Sequence, residues 1–239
     1  MKTVNSLVAD TIPFSWVDGP GNRFVFFFQG CNFDCVMCHN PHTIPLASVH
    51  ARTYDVDAAL TAIRGAMPFI SGVTTSGGEA TLQHTFIAEC FAAIRRSPDL
   101  AHLNLMVDSN GYADRAVWDV LIPVMDGAMI DLKTLDPQRH LQFTGKPVEP
   151  VLASIEQLAA AQRLYEVRLL LAPGHNDSDA DLRAIARYLT GVDPDVRVRI
   201  NRFNTHGVRQ PAAEWTNATE ADGERYREVL ADAGVRRFG

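Results

Sequence analysis

The sequence predicts an α/β fold, a partial (β/α)6 barrel, and two observations carry the prediction. Short apolar, β-branched or aromatic runs alternate with longer stretches of helical pattern, the signature of βαβ units. Polar or glycine-rich clusters follow the runs, and parallel strands place such clusters together at their C-terminal end, where barrels of this kind keep their chemistry. Six repeats with right-handed crossovers curl a sheet into a partial barrel. The chain has 239 residues, whereas a full eight-unit barrel typically takes about 250.

The first strand is Arg23–Phe28, the most hydrophobic stretch of the chain, followed by the cysteine-bearing segment 31–40 and a helix over 53–66. A strand over 72–75 ends in Ser76-Gly77-Gly78-Glu79. A helix over 83–96 follows, in which Phe86, Ile87, Cys90, Phe91 and Ile94 recur at the spacing of one buried face. The third strand, 103–107, closes in Asp108-Ser109-Asn110-Gly111 and leads to a helix over 114–122. The fourth, Gly127–Asp131, runs into Leu132-Lys133 and precedes a helix over 148–162. Strands over 166–171 and 197–201 and helices over 178–189 and 220–233 complete the pattern. No low-complexity linker or charge block marks a boundary, so 1–239 reads as a single domain with its core over 16–239.

Composition excludes several classes. A hydrophobic content of 46% is ordinary for a chain that buries a full core. The net charge of -6, with no basic stripe and only Arg236 and Arg237 near the end, argues against nucleic acid as a partner. No apolar run is long enough to cross a bilayer, so no membrane partner is expected and a cytoplasmic location is.

Cysteine usage points to a reducing, oxygen-poor compartment rather than a secreted disulfide scaffold. Three of the four cysteines, Cys31, Cys35 and Cys38, stand at C-x3-C-x2-C spacing, close enough for one inorganic cluster. Three thiolates leave one iron of a [4Fe-4S] cluster open to substrate or cofactor. The competing reading is a structural zinc, with His39 or His42 as fourth ligand. Structural zinc usually draws on two separated ligand pairs, whereas these candidates all lie between Cys31 and His42. Cys90, on the apolar helix face, is expected to be a core residue.

The stretch Asp18-Gly19-Pro20-Gly21-Asn22-Arg23, then Phe27-Phe28-Gln29-Gly30-Cys31, Cys35 and Cys38-His39-Asn40, resembles the radical S-adenosylmethionine (SAM) enzymes that activate glycyl-radical enzymes. The resemblance continues through Thr75-Ser76-Gly77-Gly78-Glu79-Ala80, Asp108-Ser109-Asn110-Gly111, Met129-Ile130-Asp131-Leu132-Lys133 and Pro173-Gly174, and so covers nearly the whole chain. It is similar to pyruvate formate-lyase activase, and at Ile12-Pro13-Phe14-Ser15-Trp16 and Thr205-His206-Gly207-Val208-Arg209 to the YjjW-like activases.

This resemblance implies roles for individual residues. Cys31, Cys35 and Cys38 would hold a [4Fe-4S] cluster whose fourth iron chelates SAM, and one electron would cleave SAM to a 5'-deoxyadenosyl radical that takes a glycine α-hydrogen from a partner protein. Gly77 and Gly78 would lie against the methionine part of SAM, with Glu79 orienting the loop. Asp108, Ser109, Met129 and Asp131 would hold a Na+ or K+ ion, for which hard oxygen ligands are suited; the alternative for Asp108 is an Asx turn. Asp131, Leu132 and Lys133 would contact SAM, the Lys133 ammonium by pairing with the SAM carboxylate, the alternative being a solvated helix-start lysine. Arg168, costly inside an apolar run unless paired, would be a further candidate SAM contact. Met37, Cys38 and His39 would meet the adenine largely through backbone, and Asn204 or His206 would supply a last SAM contact. Asp18 would face the partner's glycine loop, the alternative being a plain turn residue.

Related activases carry an inserted ferredoxin-like segment with eight further cysteines. This chain runs from Asn40 to Tyr54 without one, so an external donor, flavodoxin or ferredoxin, is expected to feed the single cluster. The rival functions are a radical SAM enzyme acting on a small molecule, like 7-carboxy-7-deazaguanine synthase, and a zinc-stapled binding module.

Overall fold

The computed structural model describes residues 4–239. It has the α/β class that the sequence predicts, with mostly parallel strand pairing, in two compact units. The first unit takes in the residues to Asn32, His42–Ser109 and Ala113–Ala128; the second Phe33–Pro41, Asn110–Tyr112 and Met129–Gly239.

In the first unit, strands β1 (Ser6–Ser15), β2 (Arg23–Phe28), β3 (Arg52–Tyr54), β4 (Gly72–Gly77) and β5 (Asn104–Ser109) lie in the order β3-β1-β2-β4-β5. β2, β4 and β5 are parallel, in register from Arg23 opposite Gly72 to Phe28 opposite Gly77. β1 and β3 were not expected; β1 pairs antiparallel with both β2 and β3. The helix expected over 53–66 starts later, as α1 (Val56–Ala66), because the Asp55 side chain accepts from Ala58 N at 2.8 Å and caps it there. Arg52–Tyr54 is then left to pair with β1.

Helices α2 (His84–Arg96) and α3 (Arg115–Leu121) complete this unit. Phe86, Ile87, Cys90, Phe91 and Ile94 of α2 are all buried, as their spacing predicts, and Phe86 meets Phe28 edge to face at 5.9 Å. Arg23, wholly buried where β2 begins, donates to Pro20 O, Val73 O, Asn104 O and Thr74 Oγ1. Those bonds offset the desolvation of its guanidinium and tie three strands together at one end.

The second unit contains β6 (Gly127–Asp131), which starts at the boundary, followed in the sheet by β7 (Leu164–Leu171), β8 (Arg197–Arg202) and β9 (Arg237–Phe238). β8 is parallel to both β7 and β9. Its helices are α4 (Pro137–Thr144), α5 (Glu149–Ala160), α6 (Asp179–Val192) and α7 (Glu220–Asp232). β9 and α4 lie outside the predicted elements. α4 carries a full set of boundary signals: the Asp136 cap, Pro137 in the first turn, and Gly145 at φ 75 after the last.

Candidate active site

Several of the predicted site residues stand where a strand ends. In the first unit, Cys31 follows β2, with its N–H donating to Ile44 O at 3.0 Å, and Gly77 ends β4. Gly77 has φ 118, and a Cβ on it would stand 2.1 Å from Phe28 N. A Cβ on Gly78 would stand 2.2 Å from Gly30 O. Both glycines are therefore demanded by protein backbone on the Cβ side.

Glu79 is buried, and its Oε1 accepts from Thr81 N at 2.8 Å, Thr81 Oγ1 at 2.6 Å and Ser109 Oγ at 2.8 Å. It thus joins the ends of β4 and β5. Asp108, which also lies in β5, accepts from Ser76 Oγ at 2.8 Å. Asn110 makes an Asx-type bond of its own, its Oδ1 accepting from Tyr112 N at 2.8 Å. Asp18 lies where β2 begins, at the opposite end of that strand from Cys31. Its carboxylate accepts from Ser15 Oγ, and its carbonyl accepts from Thr74 Oγ1 at 2.6 Å.

In the second unit, Cys35 and Cys38 share one loop, with Cys38 N donating to Cys35 O at 3.2 Å. Burial pushes the Cys35 thiol up to about 12, against the Lys133 ammonium, which favours the thiolate. Burial also raises Cys38, opposed by a backbone hydrogen bond and by Lys133 and Arg209. Such thiols ionise when a cation binds them, which is the condition for iron ligation.

Lys133 is only 8% exposed and pairs with Asp131 at 2.7 Å, which rules out a solvated lysine. Its own burial disfavours the charge, yet Asp131 and the nearby thiols hold the ammonium protonated above the usual lysine range. Leu132 is buried and donates its N–H to Arg168 O at 2.9 Å. Arg168 is buried and paired, Nε to Glu166 Oε1 at 3.0 Å, while Glu166 Oε2 takes Arg197 Nε at 3.0 Å and Arg168 Nη2 reaches the Met129 sulfur at 2.9 Å. Its burial is therefore offset within the protein, without a ligand.

The Met37 side chain packs with Phe143, Leu170, Ala172, Phe203 and Ala212, so what it can offer a cofactor is its backbone. His39 Nε2 lies 2.9 Å from Asn204 O, while the Asn204 side chain accepts from His206 N at 3.1 Å.

Four contributors escaped the sequence reading. Thr81 and Glu166 are paired as above. Arg209 forms an ion pair with Asp34 and reaches Cys35 O at 3.5 Å. Asn176, wholly buried, accepts from Ala172 N and donates to Lys133 O and Leu170 O, each at 2.8 Å, and so fixes the backbone at Lys133. Asn176 follows the Pro173-Gly174 turn closely enough to have been found as a polar residue in a strand-end loop; Arg209 stands in the Thr205–Arg209 motif without a role assigned there, and Glu166 carries no such signal.

Among the described residues, no group of three or more His, Cys, Asp or Glu side chains is arranged around a single metal ion, and no helix is long and apolar enough to cross a membrane.

A family model described as the radical SAM superfamily matches residues 25–189. The chain belongs to the radical SAM superfamily. Membership implies a [4Fe-4S] cluster and SAM as cofactors and makes the protein an oxidoreductase-type radical SAM enzyme. The donor set fits: three cysteines at short spacing, two of them in a loop whose thiols feel a buried lysine.

A Haemophilus influenzae protein assigned as a glycyl-radical enzyme activating enzyme is 32% identical, over 88% of this chain and 89% of its own. The pyruvate formate-lyase-activating enzyme of Streptococcus mutans is also 32% identical, over 86% of this chain and 80% of its own. A radical SAM methyltransferase from Sphaerobacter thermophilus is 17% identical and superimposes with a TM-score of 0.69, covering 91% of this chain and 65% of the methyltransferase. That likeness shows the fold alone, the radical SAM core that the sequence predicts.

Proposed function

We propose that this radical SAM enzyme activates a glycyl-radical enzyme. The observation that carries the reading is the extended likeness to activating enzymes, at nearly full length for both partners in each alignment. Held by Cys31, Cys35 and Cys38, a reduced cluster would supply one electron to break the SAM C5'–S bond with release of methionine, which would provide the hydrogen-abstracting chemistry directed at a glycine of the partner protein.

The protein's own part is to hold, orient and exclude. Cys31, Cys35 and Cys38 would hold the cluster, and the 204–209 segment braces the last two: Asn204 O meets His39, and Arg209 meets Asp34 and Cys35 O. Gly77 and Gly78, shaped by the Glu79 hydrogen bonds, would receive the methionine part of SAM. Lys133, charged and steadied by Asp131 and Asn176, would pair with its carboxylate; Leu132 and Arg168 would flank it. The backbone of Met37, Cys38 and His39 would meet the adenine. Asp108, Ser109, Met129 and Asp131 would hold Na+ or K+.

Asp18 would contact the partner protein, and a flavodoxin or ferredoxin would deliver electrons to the single cluster. Both units would serve one radical SAM domain, in the cytoplasm.

Anaerobic reconstitution followed by reduction in the presence of SAM tests the reading. One cluster per chain, 5'-deoxyadenosine formation and a glycine-centred radical on an added glycyl-radical enzyme support it. Zinc at one equivalent without visible cluster absorption counts against it.

A further inference from the structure

We infer that His140 is a positioning residue for the cysteine loop, acting through the C-terminal end of α4. This rests on Cys35 being a cluster ligand. His140 is wholly buried, and its Nδ1–H donates to Lys146 O at 2.8 Å. That bond spans the left-handed Gly145 and closes the end of α4, where Thr144 Oγ1 also donates to His140 O at 2.8 Å. With Nδ1 as donor, Nε2 carries a lone pair, and it is buried with no hydrogen-bond partner among the described residues. A buried acceptor left unmade is a cost that a leucine or phenylalanine at this position would avoid, so the imidazole is held there for its donor and its shape.

The closed end of α4 is what the cysteine loop hangs on. A helix leaves its last carbonyls without intrahelical partners. Here Phe143 O accepts from Val36 N at 2.9 Å, and Thr144 O accepts from Asp34 N at 3.0 Å. Those two amides flank Cys35. The His140 ring also meets Phe33, in the same loop, edge to face at 5.6 Å, and Phe33 meets Tyr112 at 5.5 Å. One imidazole thus fixes both the carbonyl pair that grips the neighbours of Cys35 and the ring that precedes them. Burial, with the Lys133 ammonium, pulls the His140 pKa below the usual histidine range, against the Lys146 carbonyl hydrogen bond and Glu149.

The two jobs are separable. H140N retains a donor near the Nδ1 position but loses the ring, H140F retains a ring against Phe33 but loses the donor, and H140L loses both. Amide hydrogen exchange is read at Asp34 and Val36 in the full chain, with and without reconstituted cluster, alongside β7 and β8 amides such as Leu169 and Ile200. The inference expects exchange at Asp34 and Val36 to rise at least tenfold in H140L and H140F, with Leu169 and Ile200 changed less than twofold. It expects H140N to restore most of that protection. The reduced cluster's electron spin resonance line should broaden in H140L and sharpen again in H140N. Unchanged protection at Asp34 and Val36, or an equal rise at all four amides, overturns it. Should H140L fail to fold, H140N and H140F decide by the same readout. The outcome does not depend on whether a glycyl-radical enzyme is the substrate.

Discussion

Glu79 shows how much a single buried carboxylate can organise. One of its oxygens receives three donors, from Thr81 and Ser109, and replacement by alanine removes the acceptor they share. Glu79→Ala is expected to lower stability by about 3 kcal/mol in urea unfolding; a loss below about 0.5 kcal/mol would contradict this role. At Lys133 the sequence allowed a solvated lysine or a site lysine, and burial beside Asp131 removes the first. Lys133→Met is expected to weaken SAM binding to the reconstituted protein at least tenfold in a calorimetric titration. Cys90 makes a pH prediction. Burial pushes its thiol up to about 12 from an ordinary 9.0, so the unfolded chain releases this proton first. Its contribution is intact below about pH 9 and is lost as pH rises toward 12, by about 1.4 kcal/mol per unit. Denaturation of cluster-free protein across that range should show the slope, and Cys90→Ala should remove this thiol's share.

Among the elements, the six predicted strands and six of the helices were legible because their apolar runs are long or regular, as in RFVFFF of β2 and the α2 face built on Phe86, Cys90 and Ile94. β1 was not legible. Its sequence SLVADTIPFS mixes polar residues with a proline, and its pairing with β2 shifts register twice, which erases a clean alternation. α4 was missed for a different reason: PQRHLQFT has little apolar periodicity, and only its cap signals mark it. Asp136→Ala, which removes the bond to Arg139 N, is expected to cost about 1 kcal/mol and to loosen the Asp34 and Val36 amides. Gly77→Ala, with its Cβ driven into Phe28 N, should abolish SAM binding while Gly145→Ala, which meets nothing within 4 Å, should cost only the strain of its left-handed backbone. The candidate site was legible at its strand-end motifs, which carry unusual residue types at short spacing. The supports were hidden, because Glu166, Asn176 and Arg209 gain their roles only from what the fold brings beside them.

For the whole molecule, family membership accounts for a cluster and SAM, and the likeness to activating enzymes accounts for the proposed protein substrate. With Cys90 buried in α2, the triplet is the chain's entire set of thiols available for iron. Cys35→Ala should therefore remove both visible cluster absorption and SAM cleavage. The most direct measurement mixes the reduced, SAM-loaded holoenzyme with glycyl-radical enzymes from its own genome and records electron spin resonance. The account predicts a glycine-centred doublet on one of them, absent with Cys35→Ala. SAM turnover coupled to a small-molecule product, with no glycine-centred signal on any candidate, would contradict it.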